Sequence, residues 1–350
     1  MHIVQVTDTL QQGGAERVAV DLSNVLFSRG HKIFFCTTRM RGPLAADLNP
    51  LIPLFCLERI SIFSGLLKFR KFVKQNKIEI VHAHGNSSAE FCILSLIGIP
   101  SVKIIHHDHN PVLIRRKRLR EQIILSRADR WIVVSKPIRD WVLKKVKYER
   151  AKLIMNPINI SRFQPASVIL KNPVRAVALA NYRSEKNYKN LLEAARLIKN
   201  KGLEVEFVCY GSHYESEYFT HIKSLRDQYG LEKIVKLNPP TMDVPQILEE
   251  ADIGVLFSSH EGLPISLLEY MASSLPVVVT DVGNCGEIVR ASGCGEVVNV
   301  DDPSAFVNAI RNIILSSNRS QLGENGKKYV HQHHSLDAFG TNIEEVYRTL

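Results

Sequence analysis

Residues 258–287, SSHEGLPISLLEYMASSLPVVVTDVGNCGE, read as loop, helix, strand and loop, and the fold of the chain is read outward from them. Gly262 and Pro264 are the punctuation of a turn that opens a helix. Leu267, Leu268 and Met271 then recur at helical spacing, and Leu275 to Val279 is a short apolar run of the kind found in a buried strand. The loop therefore leads into a helix N-terminus, whose unpaired N–H groups and positive dipole end suit a phosphate. Glu261 falls at the loop tip. Glu269, eight positions on, falls roughly two turns along a helix that begins near Pro264.

The same alternation runs through the rest of the chain. Before it, strands are expected at residues 2–7, 31–37, 51–57, 78–84, 101–105, 129–135 and 152–155, with helices after Gly13-Gly14 and at 61–76 and 89–97. Residues 156–165, rich in turn formers and holding two prolines, mark a linker. Beyond them the pattern restarts, with strands at 175–180, 205–210, 234–237, 253–257 and 297–300, and helices between. The expected fold is α/β, with two Rossmann-like, doubly wound domains facing a cleft. Residues 1–160 form the first, residues 161–334 the second, and a helix over 335–350 packs back on the first.

Composition narrows the classes. The chain has 350 residues, 45% hydrophobic and 23% charged, an ordinary composition long enough for two domains. Its six cysteines are scattered without metal spacing and are read as reduced structural thiols in a cytoplasmic protein. No leader is read at the start, and the longest apolar run, Phe91 to Pro100, is too short to span a bilayer. Charge is uneven: residues 1–160 hold 26 Lys/Arg and 12 Asp/Glu, net +14, and the remainder 19 and 23, net −4, which together recover the total of +10. The first half is therefore expected to face something acidic.

Several stretches carry candidate chemistry. Gly13-Gly14 at a strand-to-helix junction admits close approach of a phosphate or substrate, or is simply a tight turn. The strand ending His106-His-Asp-His-Asn110 brings three histidines to a carboxyl end, where ligands of open α/β sheets sit. Three readings compete: a metal site, disfavoured because no further ligand set stands at standard spacing, a structural loop, and a substrate-facing histidine helped by its neighbours, which is preferred. The amphipathic basic helix over 61–76 suits either a membrane surface or the face of a sheet. The run Arg115 to Arg120 is read as an anion- or membrane-facing surface. Nucleic acid is disfavoured because aromatic residues are not interleaved with the basic ones.

Together these residues resemble the retaining glycosyltransferases of family 4 (glycosyl transferases group 1), of GT-B fold, over nearly the whole chain. The marks are GGAE (13–16), VHAH (81–84), the histidine-rich strand end, EKN (185–187), ADIGVLFSSHEGLPISLLEYMA (251–272), PVVVTDVG (276–283) and Glu287. The pair Glu261 and Glu269 is the family signature. The resemblance implies a nucleotide-diphosphate sugar held mainly by the second domain and an acceptor held mainly by the first. Lys186 then neutralises the diphosphate, with Gly14 and the amides of Ile265 and Ser266 beside it and Gly13 as a further candidate. Glu269 binds the ribose and Glu261 the sugar. The family usually has an arginine five residues before that lysine. Asn181 stands there in this chain, so Arg183 is assigned the second charge. Ser274, where the family commonly has glycine, is expected to alter packing only.

The resemblance also places a histidine near the sugar. A His-Asp pair selects His107, strand spacing selects His106, and His109 is the outsider. Its role is a hydrogen bond, with front-face attack by the acceptor hydroxyl. No metal or cofactor is expected, since fixed cations and helix N–H groups meet the charge of the leaving group and the chain has no Asp-x-Asp triplet. The expected activity is hexose transfer to a glycan, lipid-linked at the inner membrane face, in cell-surface polysaccharide or lipopolysaccharide synthesis. The alternatives are an epimerase or other enzyme of this fold, or a non-catalytic nucleotide-sugar-binding subunit.

Overall fold

The computed structural model describes residues 1–58, 61–109, 126–144, 150–166, 170–212, 216–241 and 243–350. The basic run Arg115 to Arg120 and Asn110 lie outside the described residues.

The first unit contains β1 (His2–Thr9), α1 (Gly14–Ser28), β2 (Lys32–Met40), β3 (Leu54–Cys56), α2 (Ile62–Gln75), β4 (Ile80–His84), α3 (Asn86–Ser95), β5 (Lys103–Asp108), β6 (Arg130–Val133), α4 (Lys136–Val142) and β7 (Ala151–Leu153). Its seven strands are all parallel, in the order β3-β2-β1-β4-β5-β6-β7. Parallel strands need crossovers, and helices on the crossovers cover both faces. On one face Val4, Val6, Val81, Ala83, Ile104 and Trp131 pack with Phe69 and Val73 of α2 and Phe91 of α3. Each large apolar side chain buried this way contributes roughly 1.5–3 kcal/mol.

The second unit contains β8 (Val174–Leu179), α5 (Tyr188–Asn200), β9 (Val205–Tyr210), α6 (Ser216–Gln228), β10 (Val235–Asn238), α7 (Val244–Glu249), β11 (Ile253–Leu256), α8 (Ile265–Ala272), β12 (Val277–Thr280), α9 (Cys285–Ser292), β13 (Gly295–Val298), α10 (Pro303–Leu315) and α11 (Arg319–His333). Its six strands are also parallel, in the order β10-β9-β8-β11-β12-β13. Leu191, Leu192, Ala195 and Ile198 give α5 an apolar stripe, which joins Phe207, Val255, Phe257 and Phe306 in one core.

Both sheets change winding direction between two adjacent strands, β1 and β4 in the first and β8 and β11 in the second. Loops leaving those two strands diverge, and ligands of open α/β sheets occupy the crevice between them. The stretches singled out in the sequence fall there: Gly13-Gly14 and VHAH after β1 and along β4, EKN and Glu261 after β8 and β11.

The division between units falls at Pro157/Ile158 and again at Ser335/Leu336, so α12 (Leu336–Arg348) belongs with the first unit. It lies along α1. Arg29 donates to Glu344 at 3.0 Å and to Asp337 at 2.5 Å, and His31 lies 2.8 Å from the second oxygen of Glu344. These partners hold the Glu344 carboxyl below its usual range against the upward push of burial. Gly340 allows the approach: a Cβ there would stand 2.6 Å from Val25 Cγ1.

Ser274 differs from expectation. Its φ of +56° is the left-handed region, so the position constrains the backbone as well as the packing, and this is the physical reason glycine suits it. All six cysteines are free. Burial pushes the thiols of Cys36, Cys92, Cys209, Cys285 and Cys294 up, which makes them inert. Among the described residues no helix is long and apolar enough to cross a membrane.

Candidate active site

In the second unit the loops after β8 and β11 are stapled together. Ser259 donates to the Glu185 carbonyl from both its backbone N–H (2.9 Å) and its hydroxyl (3.2 Å). Lys186 ends a single 3-10 turn, Ser184–Lys186, which Asn187 closes in the left-handed conformation (φ 54°). Asparagine tolerates that conformation, and its side chain is held by Asp301 at 2.8 Å. The staple sets Lys186 Nζ 2.5 Å from Glu261 Oε1, which also accepts from Ser258 Oγ at 2.7 Å. Ser258 is fixed in turn, because its carbonyl accepts from Thr280 Oγ1 at the end of β12 (2.6 Å). Lys186 and Glu261 are partly buried, with side chains 21% and 9% exposed, so their attraction is screened less than that of a surface pair.

Behind Glu261 the packing leaves no slack. Gly283 has φ +55°, and a Cβ there would run into the backbone carbonyls of Glu261 and Gly262. Asn284 N–H donates to the Gly262 carbonyl at 2.9 Å. α8 starts at Ile265 behind Pro264, with no side chain capping its end. Tyr270, fully buried, accepts from the Leu179 N–H at 2.7 Å and hydrogen-bonds Ser266 one turn back, so α8 is pinned over the end of β8. Gly254 of β11 leaves room for that ring. Ile265 is buried, while Ser266 and Glu269 are half-buried. Glu269 is the fifth residue of α8 and therefore lies little more than one turn from its start, closer than the two turns expected.

Arg183 opens the turn that carries Lys186, its N–H donating to the Asn181 carbonyl at 2.9 Å. Asn181, where the resemblance leads one to expect an arginine, has a structural job: its Oδ1 accepts the Ser212 N–H at 3.0 Å and shapes the loop.

In the first unit Gly13 precedes α1 in extended conformation (φ −138°) and Gly14 is its first residue. The space a Gly13 side chain would need is filled by the Glu16 carboxylate, so the missing Cβ accommodates the helix's own acid. The histidine-rich strand end is placed differently from expectation. β5 continues through Asp108, so His106 and His107 lie inside the strand and are fully buried. Strand alternation then separates them. His106 shares the apolar face and packs on Trp131, with ring centroids 4.3 Å apart. His107 faces the other way, beside His84 in register. His109, the expected outsider, joins the cluster: it stacks on His107 at 4.0 Å and, alone of the three, keeps partial exposure.

Residues not singled out as site residues complete this cluster. His84 Nε2 lies 2.8 Å from Gln5 Oε1, and His82 Nδ1 lies 2.7 Å from the Tyr347 hydroxyl of α12. VHAH was legible as a motif, and a glutamine in the strand HIVQVTD was a signal that it is buried with a partner. Tyr347 had no local signal. Nitrogens of His82, His84 and His107 lie within 4.8 Å of one another. A metal does not fit them, however. The His82 and His84 rings are parallel (5°) at 4.6 Å, so their in-plane lone pairs run side by side instead of converging. Their nitrogens are also already engaged with Gln5, Tyr347, His107 and His109.

Comparison with known proteins agrees with the architecture. Residues 12–162 match the family described as Glycosyltransferase Family 4, and residues 160–329 match Glycosyl transferases group 1. The UDP-Gal:alpha-D-GlcNAc-diphosphoundecaprenol alpha-1,3-galactosyltransferase of Escherichia coli is 24% identical over 77% of this chain and 76% of its own length. The capsular polysaccharide biosynthesis glycosyltransferase CapH of Staphylococcus aureus is 23% identical over 82% and 83%. Among solved structures, Anabaena HepE in complex with UDP-glucose superposes with a TM-score of 0.87 over the full length of both chains at 17% identity. The chain is thus a glycosyltransferase with two Rossmann-like domains, and belongs to family 4, glycosyl transferases group 1.

Proposed function

We propose that the enzyme transfers a hexose from a nucleotide-diphosphate sugar to a glycan acceptor, with retention at the anomeric carbon and with protein groups alone meeting the leaving-group charge. The observation that carries this reading is the Lys186–Glu261–Ser258 constellation beside the uncapped start of α8. A diphosphate entering there takes Lys186 and the amides of Ile265 and Ser266, with Arg183 as the second cation. Glu261 exchanges its ammonium partner for sugar hydroxyls, so one charge-assisted hydrogen bond replaces another. Glu269, half-buried one turn along α8, holds the ribose hydroxyls. Within the first unit, Gly13 and Gly14 at the start of α1, and His107 with His109 stacked on it, are the residues assigned to substrate contact, the histidine through a hydrogen bond to the sugar or acceptor. The acceptor oxygen bonds to the anomeric carbon on the face from which the phosphate departs, and its proton passes to the departing phosphate oxygen.

Relatives support this reading by what their names carry: a UDP-galactose donor and a diphosphoundecaprenol-linked acceptor in one, and UDP-glucose bound in another. The test is calorimetry against a panel of nucleotide sugars. At least one should bind in the micromolar range, and Glu269→Ala should weaken it by about tenfold or more, the loss of a charged hydrogen bond of roughly 1.5–3 kcal/mol. Binding by none would sink the reading. A nucleotide sugar turned over without acceptor into its epimer would favour an epimerase.

A specific observation favours a lipid-linked acceptor at an anionic membrane surface. On α2, Phe63 and Leu67 are 80% and 70% exposed, one turn apart, with Lys68, Lys71 and Lys74 also exposed. Apolar side chains ringed by lysines suit a lipid interface. The pair variant Phe63→Ser/Leu67→Ser should lower sedimentation with phosphatidylglycerol vesicles at low salt several-fold. Equal sedimentation of both proteins would remove α2 from the membrane reading.

A further inference from the structure

The histidines on the inner face of β4 and β5 are linked in single file. Burial pushes all of them down, His82 to about 3, His109 to about 4, and His84 and His107 well below the usual range, so at neutral pH each ring carries one proton. A neutral imidazole has one N–H and one bare nitrogen, and a ring with two hydrogen bonds therefore donates one and accepts one. Five links connect six side chains. His109 Nε2 lies 3.1 Å from His84 Nδ1, and His84 Nε2 lies 2.8 Å from Gln5 Oε1. Gln5 Nε2 donates to the Tyr347 hydroxyl at 3.2 Å, Tyr347 lies 2.7 Å from His82 Nδ1, and His82 Nε2 lies 3.1 Å from His107 Nδ1.

Gln5 sets the direction. Its oxygen can only accept, so His84 carries its proton on Nε2 and takes one from His109 on Nδ1. Its amide nitrogen can only donate, so the Tyr347 proton is turned to His82. His82 then carries its proton on Nε2 and donates to His107, whose own proton is left on Nε2. Every donor points from His109 toward His107. Turning the Gln5 amide over reverses all five links together, while a mixed arrangement strands the Tyr347 proton or sets like against like. At the far end His109 Nδ1 lies 3.3 Å from Asn156 Oδ1. With the His109 proton on Nε2 that nitrogen is bare, so this direction requires the Asn156 amide to turn its NH2 toward it, and the reverse direction keeps Oδ1 where it is.

We propose that Gln5 and Tyr347 are positioning residues that lock the tautomers of His107 and His109 together and make His107 a hydrogen-bond donor through Nε2. The catalytic relevance of this lock rests on the reading above that this histidine pair meets the substrate. His107 Nε2 is buried and has no hydrogen-bond partner among the described residues, so its N–H is the unspent end of the file. It can donate to a sugar or acceptor oxygen that is brought to it and cannot take a proton from it, so the file assigns His107 the work of orienting and excludes it as a base. It also gives α12 a function beyond packing. The helix that returns to the first unit carries the hydroxyl through which the two halves of the file communicate, and the tautomer of a β5 histidine is decided by a side chain from the far end of the chain.

The experiment is imidazole ¹⁵N spectroscopy of the full-length protein labelled at histidine, with His→Gln variants for assignment. In the wild type His82, His84, His107 and His109 should each show one tautomer, protonated at Nε2. Tyr347→Phe keeps the ring and removes only the hydroxyl, and Gln5→Met cuts the file at a second link. In both, the His107 nitrogens should move toward averaged values, although neither substituted residue touches His107. If they move no more than those of His31 and His221, which lie outside the file, the lock is overturned. It is equally overturned if wild-type His107 is protonated at Nδ1. With the nucleotide sugar that binds in the panel, Tyr347→Phe should lower kcat five- to twentyfold and leave the donor KM within twofold. If His107→Ala and His109→Ala both keep full turnover, the substrate-facing reading fails, and the spectra still decide the lock.

Discussion

Lys186→Ala should lower turnover by about 10²–10³, the range expected when one preorganised donor to a developing anion is removed, roughly 2.7–4 kcal/mol. Two effects add in the same direction. The diphosphate loses its fixed cation, and Glu261, now held by Ser258 alone at 2.7 Å, becomes an uncompensated carboxylate beside an incoming polyanion. The second effect is separable. In Lys186→Ala/Glu261→Gln the repulsion is gone, so the double variant should bind donor better than Lys186→Ala alone. Contacting residues are non-additive by 0.5–3 kcal/mol as a rule. Donor affinity and turnover within threefold of wild type in Lys186→Ala would show that the ammonium serves only to hold Glu261.

Gly283→Ala is the second large effect, and it acts from behind the site. The added methyl would meet two backbone carbonyls, those of Glu261 and Gly262, and neither can step aside as a flexible side chain would. Overpacking of this kind costs about 1–3 kcal/mol, and an alanine at φ +55° adds about 1–2 kcal/mol. The chain can absorb this by unfolding more readily or by moving the loop. Moving the loop carries Glu261 away from Lys186 and breaks the Asn284-to-Gly262 hydrogen bond of 2.9 Å. The urea midpoint should therefore fall, turnover should fall at least tenfold, or both. A variant with wild-type midpoint and turnover would mean that the loop has room the structure does not show.

The stretches that carry the proposed donor contacts were largely legible in the sequence because their parts are local. Glu261, the start of α8 and Glu269 occupy one continuous stretch, and EKN stands on a single turn. What was not legible is why Lys186 and Glu261 meet, since 75 residues separate them. Their contact depends on strand order, which puts β8 next to β11, and on Ser259 binding the Glu185 carbonyl. The histidines show the same limit at shorter range. Ending the strand at residue 105, with His106 to His109 beyond it, missed that β5 runs through Asp108, because polar residues at a strand end give no strand signal until a neighbouring strand pairs with them. Once they are in the strand, the period of two decides which histidine joins the apolar core and which joins His84.

By itself the sequence determined the α/β alternation, the second-unit motif stretch and the uneven charge, because each is written in residues close together, where periodicity and turn chemistry act. Tertiary structure alone decided the orientation of the histidines, the left-handed requirement at Ser274, and the link from Gln5 to Tyr347 across 342 positions. Those depend on which strands lie side by side and on where the last helix docks. Both follow from burying two faces of a sheet at once, and no local window of the chain contains that information.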